Sequence, residues 1–148
     1  MVLTMNKVGI VSCSGEDMPG GTITRVATRL VLEELRPDRT VTICLPLFLV
    51  GNSNERDFAK VHPTITVDGC EKRCAHIATS NLSAKPAYAI LVPDIAKDFP
   101  RVELRPCGKL SEDEMKIARR VAEEIAASVD AILGITPAME PGAKAGER

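Results

Sequence analysis

Aromatic side chains are almost missing from this chain of 148 residues: Phe48, Phe58, Phe99 and Tyr88 make up 3% of it, and there is no tryptophan. That scarcity removes the stacking platforms on which single-stranded nucleic acids bind. An excess of one charge is missing too. The 19 basic and 20 acidic side chains mix along the sequence to a formal net charge of -1, with no basic stripe for a phosphate backbone. Nucleic-acid binding is therefore not expected. Long apolar runs are also lacking: Val41–Val50 is the most apolar stretch and is broken by Pro46, too short to span a bilayer. Nor do the residues before Lys7 carry a clear signal-peptide pattern. A cytoplasmic protein with no membrane partner is the expectation.

What the chain does have is aliphatic residues and thiols. Hydrophobic residues reach 45%, enough for a core built from Val, Ile, Leu and Ala in one domain of ordinary size. Five cysteines, an odd number in a compartment expected to be reducing, point to metal or thiol chemistry before structural disulfides.

The order of elements implies an α/β fold. Lys7–Ser12, Thr40–Cys44, Thr64–Asp68 and Tyr88–Val92 read as short β-branched strands, with Val102–Arg105 as a further edge strand. Helical patterns separate them: one from Thr22 to before Pro37, a short one near Asn54–Lys60, and one from Cys70 to about Asn81. A capping box, Ser111 to Glu114, opens a long helix whose apolar stripe (Met115, Ala118, Val121, Ala122, Ile125, Val129, Ile132, Leu133) runs to Gly134. This predicts a single-domain open, mostly parallel sheet of about four to five strands with helices on both faces, over residues 1–135. Residues 136–148, small and polar, are expected to be a disordered C-terminal tail.

Such a sheet would collect the thiols. Functional crevices in open parallel sheets lie beyond the carboxyl ends of the strands. Cys13 follows the first strand, Cys44 ends the second, Cys70 follows the third, and Cys74 comes one helical turn later. With neighbouring strands ~5 Å apart, four sulfurs at this edge could meet at one ion. Four thiolates are a standard zinc set. On a helix Cys70 and Cys74 would share a face, and Lys72, Arg73 and the helix N-terminus would offset their charge. The plainer alternative is that these are core or independently redox-active cysteines, since cysteine is often buried. Cys107 is a loop thiol that could serve as an alternative ligand. Neither histidine fits: His76 faces away from Cys74, and His62 precedes the third strand at the opposite end of the sheet.

Other chemistries fail on single residues. Gly15, Gly20, Gly21 and Thr22 have Walker A spacing, but Gly21 stands where the lysine belongs, and Glu16 and Asp17 repel phosphate. A phosphatase loop needs arginine six positions after Cys13, where Pro19 stands. Asp68 reads as a helix cap or as a supporting acceptor around the thiolates, together with Gly69 and Ser14. Asp94 belongs to an ordinary Pro-Asp turn. The apolar exit after Cys44 has three explanations: a dry wall over the site, a helix start packed in the core, or a partner or self-association surface through Leu45, Leu47, Phe48 and Leu49.

Cys13-Ser-Gly, Cys44-Leu and Asp68-Gly69-Cys70 with Cys74 together resemble the DGC domain family, named for its Asp-Gly-Cys motif, over about Val8–Ile95. The resemblance implies a zinc-binding protein whose ligands fall on Cys13, Cys44, Cys70 and Cys74. It brings no established reaction, so whether the chain is an enzyme stays open. A thiol-based redox, metal- or sulfur-transfer protein, and an iron–sulfur protein, remain as alternatives for the same cluster.

Overall fold

The structure, a computed structural model, describes residues 6–13, 15–105 and 108–135. Ser14, Cys107 and the 136–148 tail, each given a role above, lie outside the described residues. Strands β1 (Val8–Ser12), β2 (Thr40–Thr42), β3 (Thr64–Asp68) and β4 (Tyr88–Leu91) form one sheet in the order β2-β1-β3-β4, parallel at every pairing.

Alternation along the strands sorts the core onto two faces. Val8 and Ile10 of β1, with Ile65 and Val67 of β3, are fully buried beneath α1 (Pro19–Leu30) and α7 (Glu112–Leu133). Val11 and Cys13 point the other way, into a smaller cluster with α2 (Leu45–Val50) and α5 (Cys74–Leu82). Short helices α3 (Ser53–Arg56) and α4 (Phe58–Val61) lead into β3, and α6 (Val92–Ala96) follows β4 directly. The expected α/β sheet with helices on both faces is present.

The long final helix follows its sequence signals closely. Ser111 and Glu114 form the reciprocal capping box, and Gly134 closes the helix at φ 66°. Burial alone would push the Glu114 carboxyl upward. Hydrogen bonds from Ser111 and Arg105 outweigh it and hold the group below the usual range. At the other end, Asp130 takes two hydrogen bonds from Arg36, at 2.8 and 2.6 Å, just past a π-helical turn (Val31–Leu35) that extends α1.

Three expectations need correction. Val102–Arg105 is not a strand: Val102 and Leu104 pack on the main core, and the Arg105 amide donates to Glu114 instead of to a sheet neighbour. The sheet thus has four strands among the described residues. β2 stops at Thr42, because Pro46 in the first turn favours helix α2, and Cys44 becomes the residue before that helix. Cys70 is not helical either. Arg73 adopts a left-handed backbone (φ 52°), so α5 starts only at Cys74. Among the described residues no helix is long and apolar enough to cross a membrane.

Candidate metal centre

The strand order reverses between β1 and β3, and the crevice at their carboxyl ends is where an open α/β sheet offers a site. A cleft of about 300 Å³ opens there. It is lined by Cys13, Cys70 and Cys74, by Asp68 and Gly69, and by Gly15–Met18, Leu45 and Lys72.

Cys13 is the fixed thiol. It is buried, and its amide continues the β1–β3 ladder to Val67 O at 3.0 Å. Its Sγ accepts the Gly69 N–H at 3.3 Å and lies 3.7 Å from Thr24 Oγ1. The Thr24 hydroxyl has a better acceptor in Gly21 O at 2.7 Å, so this contact leaves the sulfur lone pairs largely uncommitted. Backbone approach makes the arrangement possible. A Cβ on Gly20 would collide with Gly69 O, and one on Gly69 would stand 2.5 Å from the Gly20 carbonyl carbon. Only glycine at both positions lets the turn after β3 rest on the first turn of α1, with its N–H over Cys13.

Asp68 sets the other wall. It is buried, and its two carboxylate oxygens accept the Ala75 N–H at 2.8 Å and the His76 N–H at 3.0 Å. This is the expected capping role, performed from the strand end across the 69–73 turn. Burial drives its pKa above the ordinary value, against those two hydrogen bonds. Asp68 thereby fixes the start of α5, where Cys74 stands exposed; Cys70, half-buried, sits in the turn between them.

Cys44 is exposed and does not line the cleft; its neighbour Leu45, almost fully buried, occupies that wall. Both histidines lie away from the cleft. His62 bonds Lys7 O at 3.0 Å at the far end of the sheet, and His76 lies under the β4 edge. Asp94 is paired with Lys97 at the exposed surface. Among the described residues no three Cys, His, Asp or Glu side chains are gathered closely enough to hold an ion. The donor set itself, three thiols on one cleft, has the softness that zinc selects.

The model of the DGC domain matches residues 9–121. This chain belongs to the DGC domain family. The match runs from the second residue of β1 through β2, β3 and β4, takes in the Asp68-Gly69-Cys70 motif and ends within the first half of the final helix, and it fits a metal-binding protein whose role is not assigned. No curated protein and no solved structure was found to match.

Sequence reasoning passed over several DGC-site residues. Met18 is apolar wall beside Leu45, a residue the apolar exit had already suggested as a dry wall, and Thr24 packs beside the Cys13 sulfur. Glu16, set aside as a phosphate repellent, lines the cleft while paired with Arg25. The adjacent Gly20-Gly21 was the available signal, because such a pair at a helix start often marks close backbone approach.

Proposed function

We propose that this DGC protein binds one zinc ion through its cysteine cluster, at the carboxyl edge of β1 and β3. The observation that carries the reading is the shared cleft: thiols from two separate crossovers, Cys13 and the Cys70/Cys74 pair, line one crevice. Support comes also from the Gly69 N–H on Cys13 Sγ, which fixes that sulfur at the end of β1 facing the cleft. Cys13, Cys44, Cys70 and Cys74 are all free of disulfides, and a reducing compartment such as the cytoplasm keeps them so.

Zinc, once bound, supplies a cross-link and a Lewis-acid centre. The chain's residues do the rest. Cys13 gives an immobile anchor within the sheet. The Asp68 carboxylate orients α5 and with it Cys74, and Cys70 in the turn before it would supply a further thiolate. Lys72 at the lip offsets part of the negative charge of the thiolates.

Titration of reduced, metal-free protein with zinc against a chromophoric chelator tests this. One tightly bound equivalent is expected, abolished in Cys70→Ser and Cys74→Ser proteins that retain wild-type far-UV circular dichroism. Wild-type protein that fails to compete with a weak chelator contradicts it.

A further inference from the structure

We infer that β4, the open edge of the sheet, pairs antiparallel with β4 of a second copy of this chain, so that the two sheets run on as one. None of the β4 residues lines the thiol cleft, and the inference does not rest on the metal reading.

The fold leaves this edge uncovered. Val102–Arg105, strand-like in sequence, packs on the main core and satisfies Glu114 instead of adding a strand, so β4 is last in the order β2-β1-β3-β4. Ala87, Tyr88 and Ala89 are all exposed, although successive side chains point to opposite faces. Both faces of the sheet margin are therefore bare. Edge strands usually carry a device against further pairing, such as a charge, a proline, a bulge or very short length. The other edge, β2, has only three residues. β4 has no charge or proline within it, and no charged residue stands between Lys85 and Asp94.

The register identifies the unpaired backbone groups. Gly9 N–H bonds Pro63 O and Cys13 N–H bonds Val67 O, so Pro63, Ile65 and Val67 turn their backbone groups to β1. Thr64, Thr66 and Asp68 then face β4. With Ile65 opposite Tyr88 and Val67 opposite Ile90, the β4 residues that bond them are Tyr88 and Ile90. The N–H and C=O of Ala89 point outward, flanked by the Leu91 N–H and the Ala87 C=O. Among the described residues none of these groups has a partner elsewhere.

This edge is complementary to itself. With a two-fold axis at Ala89, the two Ala89 residues exchange N–H···O bonds, and each Leu91 N–H meets the Ala87 C=O of the second copy. The side chains match under the same axis, which is why the occupant is a second copy. Small Ala89 faces itself, and Tyr88 faces Ile90 in an aromatic–β-branched pair. Lys85 falls toward the end of the other strand that carries Asp94, itself paired with Lys97, so no like charges meet. Two strands of four residues bury less than the roughly 1,200 Å² of a standard interface, so the dimer is expected to dissociate on dilution.

Sedimentation velocity on the full chain, in reductant to remove disulfide-bridged species, tests this between about 1 μM and about 1 mM protein. Expected is a rise from the 15.9 kDa monomer toward about twice that mass. Ala89→Pro removes the outward N–H and leaves the ladder to β3 intact. Ala89→Lys sets like charges on the axis at a side chain that is already exposed. Each is expected to weaken association at least about 10-fold while far-UV circular dichroism stays that of wild type. Hydrogen exchange at the Ala89 and Leu91 amides is expected to slow as concentration rises. A wild-type chain that stays monomeric throughout overturns the inference. So does a dimer that persists in natively folded Ala89→Lys, or one that leaves exchange at both amides unchanged.

Discussion

Replacing Asp68 by alanine removes the group that joins the end of β3 to the start of α5. The carboxylate accepts two amide hydrogens, from Ala75 at 2.8 Å and His76 at 3.0 Å, and both belong to the first turn of a helix with no side-chain cap of its own. A hydrogen bond to a charged group contributes about 1.5–3 kcal/mol and an ordinary helix cap about 1 kcal/mol. Against this stands the cost of burying the carboxylate, visible in its raised pKa. Because the two bonds are partly offset, the expected net loss is about 2 kcal/mol, which for a chain of this size lowers Tm by roughly 4–8 °C. Asp68→Asn keeps one acceptor and should lose about half as much. Urea unfolding followed by far-UV circular dichroism reads both. An Asp68→Ala protein within about 0.5 kcal/mol of wild type would refute the claim that this carboxylate holds α5 in place.

Gly20→Ala forces a methyl into the Gly69 backbone, and should cost about 1–3 kcal/mol by overpacking. It should also weaken zinc binding by separating the Gly69 N–H from Cys13, read by chelator competition. Glu114→Gln weakens the capping box of α7 by about 1 kcal/mol at neutral pH. The folded carboxyl has a depressed pKa, so its stabilisation is present above the unfolded carboxyl pKa and is lost as pH falls through the lower folded value. The gap between wild type and Glu114→Gln in thermal unfolding should accordingly narrow below about pH 4; a gap that widens in acid contradicts the assignment.

The sheet and α7 were legible because their signals are redundant. β-branched runs separated by helical periods allow few topologies, and α7 carries a capping box, a long apolar stripe and a terminal glycine at once. The edge at which the thiols collect followed from chain order alone. Finer placement did not. A spacing of four puts Cys70 and Cys74 on one face if both are helical, and nothing in the sequence announces the left-handed Arg73 that delays the helix. For Cys44 a cue existed. Pro46 sits in the first turn of α2, but an apolar run with one proline reads equally well as a strand exit. Of the four residues suggested there as a partner surface, Leu45 and Phe48 are core, whereas Leu47 and Leu49 are 45% and 42% exposed. Residues 102–105 have strand-like composition, yet what they satisfy is the buried Glu114, a demand made from nine positions further along.

The most direct test of the central claim is zinc K-edge X-ray absorption on protein purified anaerobically under reducing conditions. The account predicts a shell dominated by sulfur at ~2.3 Å, lost in Cys70→Ser. A shell of nitrogen and oxygen alone at ~2.0–2.1 Å, or protein without zinc, would contradict it.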